Sequence, residues 1–149
     1  MKIERTLNMS PEEFYEAMQE SMAHQINVEL SKSLSPEDIQ TGYSHKVKTT
    51  TKNGTRTTRF AVVKAIPGKE MVISHHSQDA RSKTSYKIFP DPAGLKLVFE
   101  QNTEYLNPDV KPSGIRLRIT DILSIGKINR QLTDLEMKIE KKRKKKKAQ

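Results

Sequence analysis

The run SGIRLRITDILSIGKINRQLTDLEMKIEKKRKKKK, residues 113–147, decides how this chain folds. Ile115, Ile119, Ile122, Ile125, Ile128, Leu132, Leu135 and Ile139 recur there at three- and four-residue steps. That spacing lays an apolar stripe along one side of a helix. Ser113 is its expected N-cap. Gly126, in its middle, costs about 1 kcal/mol relative to alanine and suits either a close approach or a bend. A helix of this length is about 50 Å long at the standard rise. A strand of eight residues spans only about 27 Å. The helix is therefore expected to overhang any sheet it covers, leaving Leu132, Leu135 and Ile139 in need of a partner. The first helix is one such partner; a second copy of the chain, forming a homodimer, is another.

The segment upstream alternates. From Tyr43 to Tyr105 the apolar period is two, which reads as strands. Asn53-Gly54, Pro67-Gly68 and Pro90-Asp91-Pro92-Ala93-Gly94 mark the turns between them. The last strand has the cleanest pattern, with Leu95, Leu97, Phe99, Gln101, Thr103 and Tyr105 set against Lys96, Val98, Glu100, Asn102 and Glu104. Phe60-Ala61-Val62-Val63 is apolar on both faces, as in a strand covered twice. A loop containing Asn107-Pro108 and Lys111-Pro112 leads to the final helix.

At the other end, residues 2–9 alternate as a half-buried strand with Ile3, Arg5, Leu7 and Met9 on one face. Ser10-Pro11-Glu12-Glu13 supplies a helix start: serine as N-cap, proline first, glutamate third. The helix that follows carries Phe14, Met18, Met22 and Ile26 and is expected to end near Leu30. Ser35-Pro36-Glu37-Asp38 repeats the signal for a short second turn. The order is thus strand, helix, short helix, five strands on short turns, long helix. Short turns imply antiparallel meander pairing, and the whole is an α+β layer architecture, a six-stranded antiparallel sheet with helices to one side.

This order resembles the START-like (SRPBCC) superfamily, which includes polyketide cyclases and plant pathogenesis-related proteins. The resemblance covers residues 2–140 and implies a helix-grip fold, in which a curved sheet wraps a long C-terminal helix. Met1–Ser10 followed by Pro11-Glu12-Glu13-Phe14, with Gly114-Ile115 opening the last helix, looks like an uncharacterised bacterial family of START-like proteins. That likeness implies a domain over residues 1–140 and lends no catalytic residues. It also implies an apolar or amphipathic ligand in the gap between sheet and helix.

Composition bounds the chemistry. One domain fits 149 residues. With no cysteine, disulfides and thiolate metal sites are excluded. The N-terminal residues lack the apolar core of a signal peptide, and no apolar run reaches membrane-spanning length, so a cytoplasmic protein is expected. Of a net charge of +9, seven charges lie in Lys141–Lys147. The body is nearly balanced, and residues 141–149 are expected to form a disordered basic tail; weak, non-specific attraction of Lys141–Lys147 to nucleic acid or anionic membrane makes an accessory protein acting through that tail the alternative function.

The four histidines do not make a metal site. His75 and His76 are adjacent in a strand and point to opposite faces, while His24 and His45 have no ligand at a useful spacing. The six glycines are too dispersed for a phosphate-binding loop. No serine sits in a nucleophile elbow. No cofactor is expected, and a covalent or metal-dependent enzyme is disfavoured. A cyclase or hydratase using His45 or a pocket tyrosine is the enzymatic alternative. What remains is a pocket. On the alternation, Tyr43, His45, Thr84, Tyr86, Phe99, Gln101 and Tyr105 face the last helix, joined by Arg5 and, from the helix, by Ile119, Ile122 and Leu123. Aromatic walls with a few polar tips are the usual lining of a ligand site.

Overall fold

The alternating N-terminal residues form β1 (Lys2–Leu7), and the Ser10 signal opens α1 (Pro11–Leu30). In this computed structural model the capping box is closed. Glu13 N donates to Ser10 Oγ at 3.1 Å, and Ser10 N donates back to a Glu13 carboxylate oxygen at 2.9 Å. A cap of this kind contributes about 1 kcal/mol. The structure describes the backbone of residues 1–52, 54–106 and 114–148, and side chains at 1–48, 50, 52, 54–106 and 129–147.

After α1 a 3₁₀ turn (Pro36–Asp38) leads into β2 (Ser44–Thr51), β3 (Gly54–Ile66), β4 (Glu70–His76), β5 (Ala80–Asp91) and β6 (Gly94–Tyr105), and the chain ends in α2 (Gly114–Ala148). The six strands form one curved antiparallel sheet in the order β1-β6-β5-β4-β3-β2. Every meander neighbour pairs with the next, and β1 closes the far edge on β6. The architecture is α+β, as the element order predicts.

Two turns differ from the sequence expectation by a residue or two. Thr51 pairs with Gly54, so β3 starts at the glycine of the Asn53-Gly54 signal. Asp91 pairs with Gly94, so only Pro92-Ala93 turn the chain between β5 and β6. In β3 the register slips between Val62 and Lys64. That bulge at Val63 accounts for the run of apolar residues on both faces, because the extra residue breaks the alternation.

The core lies between the sheet's inner face and the helices. Leu7, Met71, Ile88, Leu95 and Leu97 are buried against Phe14, Met18 and Ile26 of α1 and Leu132 and Ile139 of α2. The overhanging stripe therefore finds its partner in α1. The basic end is also helical: α2 runs through Lys147 to Ala148. Glu13 and Glu20 of α1 are the reason, since Arg143 Nε donates to Glu13 at 3.1 Å and Lys142 Nζ lies 3.4 Å from Glu20. Cations also suit the negative end of a helix dipole. Among the described residues no helix is long and apolar enough to cross a membrane.

Candidate ligand site

The strand register sorts the inner face into rows. Arg5, Leu97 and Ile88 form one row, and Ile3, Phe99, Tyr86 and Met71 the next. Gln101, Thr84, Ile73 and Val62 follow, then Thr103, Ser82, His75, Phe60 and His45. The face thus grades from aliphatic, where α1 and the C-terminal half of α2 cover it, to polar and aromatic at its other end. Tyr43 joins the polar end, because Val62 N donates to Tyr43 O at 2.8 Å and extends the β2–β3 pairing by one residue.

Four of these side chains pack as a ring cluster. The His45 and Phe60 rings stack at 4.9 Å, His75 meets Phe60 edge-on at 5.2 Å, and Tyr43 meets His45 at 5.6 Å. Tyr43 Oη lies 2.9 Å from His45 Nδ1, a hydrogen bond that a neutral ring accepts when its proton sits on Nε2. Lys32 Nζ stands 5.8 Å from the Tyr43 ring centre, a cation–π distance. Burial, then the positive fields of Lys32 and His75, lower the His45 pKa below the ordinary histidine value, while Glu29 opposes them. His75 keeps much of its area accessible, yet its place within the curve of the sheet also desolvates it and lowers its pKa.

Tyr86 marks the border between the two ends. Its ring packs edge-on against Phe99 at 5.2 Å, and burial raises its pKa. It is recessed rather than sealed. It forms the floor of an open groove of about 400 Å³ between α1, α2 and the sheet, walled by Phe14, Met18, Met22, Leu132 and Leu135. Ser21, Gln25, Gln131, Asp134 and Lys138 supply its polar rim. Among the described residues the side chains of Thr84, Tyr86 and Gln101 make no hydrogen bond, and no sealed side-chain polar atom lacks a partner. Tyr86 and Gln101 are half-buried, while Thr84 is buried beside them. A larger cleft, of about 560 Å³, lies between α1, the 3₁₀ turn and the β3–β4 turn and contains none of the predicted residues. Among the described residues no three His, Asp or Glu side chains converge as a metal site would require.

The predicted residues divide accordingly. Tyr43, His45, Thr84, Tyr86, Gln101 and Tyr105 share the inner face, Phe99 is part of its buried floor, and Ile119, Ile122 and Leu123 lie outside the residues whose side chains are described, as does Ser113. Arg5 differs: its guanidinium is engaged by α2, donating to Asn129 O at 2.7 Å, Thr133 Oγ1 at 2.8 Å and Glu136 Oε1 at 2.7 Å. It is a buckle between sheet and helix rather than a pocket wall. Phe60 and His75 are absent from the predicted set. Counting pairs back from the β2–β3 hairpin places Phe60 opposite His45, and the β3–β4 register then sets His75 opposite Phe60.

A family model described as "Domain of unknown function (DUF3284)" matches residues 1–112. This chain belongs to the DUF3284 family. No curated protein sequence matches it. Solved structures similar to this DUF3284 chain include an uncharacterised protein from Rhizobium leguminosarum (18% identity, 95% of this chain and 93% of that one, TM-score 0.59). A protein of unknown function from Staphylococcus aureus is 12% identical over 97% of this chain and 94% of its own, with a TM-score of 0.61. Ara h 8.0201 is 9% identical over 93% of this chain and 95% of its own, with a TM-score of 0.58. At these identities the likeness shows a shared fold for the DUF3284 chain.

Proposed function

We propose that this protein is a START-like, small-molecule-binding domain that holds an apolar or amphipathic ligand between the sheet's inner face and the C-terminal helix. The observation that carries this reading is Tyr86, without a side-chain hydrogen bond among the described residues and set at the floor of an open, largely apolar groove, with Thr84 and Gln101 next to it on the same face. Polar groups on an otherwise aliphatic surface cost stability unless a partner or water satisfies them, and a ligand with one polar end would supply that partner. Tyr43, His45, Phe60, His75 and Tyr105 extend the same surface and would set the ligand's shape. The fold shared with Ara h 8.0201 is compatible with such a pocket.

The test has two parts. Native mass spectrometry of freshly purified protein should find a small molecule released on denaturation. Leu135→Trp, which fills the groove above Tyr86, should then lower affinity for an apolar fluorescent probe such as anilinonaphthalene sulfonate by about tenfold while leaving the melting temperature within a few degrees. Equal probe affinity in parent and variant, with no carried mass, would remove the reading.

A further inference from the structure

The outer face of the sheet, away from the helices, carries an arrangement that stability alone does not account for. The register sets Lys46 opposite Arg59, Arg59 opposite His76, and His76 opposite Arg81. Four basic side chains therefore line up directly across β2, β3, β4 and β5, and the row ends at Glu104 of β6. Lys48 and Lys83 flank it on the same face, with Thr57, Ser74 and Asn102 beside them. Lys46, Lys48, Arg59, His76, Arg81 and Lys83 are all exposed. Among the described residues none of them makes an ion pair or a side-chain hydrogen bond. Several other cations of the sheet are paired: Arg56 with Asp79, Lys64 with Glu70, and Lys96 with Glu4. Like charges directly opposite on neighbouring strands destabilise a sheet, so the Lys46–Arg59 pair works against the fold that displays it.

We infer that this cationic ladder is a docking surface for the phosphate backbone of double-stranded nucleic acid. Strands about 4.8 Å apart spread Lys46, Arg59 and Arg81, with His76 between the two arginines, over about 14 Å in a line. That length is about four base-pair steps of a duplex at 3.4 Å of axial rise each, so the row can reach several phosphates of one backbone. Arginine and lysine with small hydroxyl and amide neighbours are the side chains that contact phosphate and sugar without reading sequence. A single strand is disfavoured, because its binders offer aromatic platforms for unstacked bases. Phe89, an exposed aromatic of this face, lies eight residues along β5 from Arg81. The ladder is also separate from the basic end of α2, where Lys142 and Arg143 are committed to Glu20 and Glu13. It shares no residue with the inner-face ligand site, so the two readings stand or fall apart.

The experiment measures binding of the full chain to a fluorescein-labelled DNA duplex of mixed sequence by anisotropy across a salt series. The parent should bind at low salt, weakening as salt rises. Arg59→Thr with Arg81→Thr should weaken binding by about tenfold or more and reduce the slope of log affinity against log salt by about two, one for each phosphate no longer neutralised. Threonine suits strands, and relief of the repulsion should hold or raise the melting temperature, so weaker binding will not be a sign of unfolding. The same double change should still weaken binding when Lys144, Lys145, Lys146 and Lys147 are all replaced by glutamine. Three results would overturn the inference. The first is no duplex binding by the parent at low salt. The second is unchanged binding by the ladder variant, with only the tail variant impaired. The third is ladder-dependent binding to phosphatidylserine vesicles with duplex binding untouched.

Discussion

Arg5 of β1 and Glu136 of α2 are 131 positions apart in sequence and 2.7 Å apart in space. The pair is only partly exposed, at 24% and 28% of side-chain area. Asn129 O and Thr133 Oγ1 fill further guanidinium donors, and the second Glu136 oxygen lies 3.4 Å from Asn8 N. The helix is thus fastened to the edge strand by one buckle as well as by apolar packing. Arg5→Met removes the donors and keeps the stem. It should cost about 2 kcal/mol, the range for hydrogen bonds to charged groups, and leave Glu136 half-desolvated. Glu136→Gln should cost less, because the amide still accepts. A double-mutant cycle in urea should return a coupling of about 1 kcal/mol or more; additive costs would mean that the interaction contributes nothing.

Gly94 gives the sharpest backbone prediction. Its φ is +135°, a region L side chains rarely adopt, and a Cβ there would stand 2.5 Å from Leu7 O and 2.7 Å from Met9 O. Both are backbone atoms where β1 leaves the sheet, so neither can swing away. Gly94→Ala should destabilise by about 3 kcal/mol, adding conformational strain to the clash. Gly42, with nothing within 4 Å of a Cβ, has only its φ of +95° against it. Gly42→Ala should therefore lose clearly less in the same urea titration.

Most of this fold is legible in the sequence because its signals are local. Period-two alternation, proline and glycine turns, and the Ser10 cap each act over a few residues, and together they give element order and meander pairing. The inner-face assignment of Tyr43, His45, Thr84 and Tyr86 follows from the same alternation. The rest depends on partners far along the chain. Arg5 reads as a polar residue on a buried face, and only the arrival of Glu136 turns it from a pocket wall into a fastener. The Val63 bulge is hidden because two apolar neighbours satisfy either register. The Lys46–Arg59–His76–Arg81 ladder needs three registers at once, each fixed by a different turn. The ion pairs of the basic end escape a local reading because their acids, Glu13 and Glu20, lie on the first helix.

The histidines of the inner face should make stability pH-dependent. His45 and His75 both bind protons less readily in the folded chain than in the unfolded one, whose value is about 6.5. Where the unfolded state holds more protons, stability rises with pH. Their contribution is complete above the unfolded value and is lost as pH falls through the lowered folded values. Protonation at His45 Nδ1 would also turn the acceptor for Tyr43 into a donor. Urea midpoints should decline on acidification through this window. His45→Gln with His75→Gln should flatten the decline; an unaltered slope would assign the titration elsewhere.

Glu13 links the first helix to the last. Its carboxylate receives the Arg143 guanidinium and also closes the Ser10 cap, and the Arg143 hydrogen bonds, with those of Ser10, lower its pKa against the opposing effect of burial. A carboxylate with a lowered value stabilises above its unfolded pKa and loses that contribution as pH falls through the folded one. The larger consequence is for the basic end. Lys141–Lys147 repel one another along α2, and Glu13 and Glu20 are the acids that hold the start of that run against α1. Arg143→Gln should release the final turns with little loss of global stability, because the pair is about two-fifths and one-third exposed and surface pairs contribute at most about 1 kcal/mol. Limited trypsin digestion should then cut within residues 141–147 several times faster than in the parent, while cleavage in the sheet stays unchanged. Glu13→Gln should speed the same cut and in addition weaken the α1 cap, so its melting temperature should fall further than that of Arg143→Gln. Equal trypsin rates in all three proteins would show that apolar packing through Ile139 alone keeps the end of α2 in place.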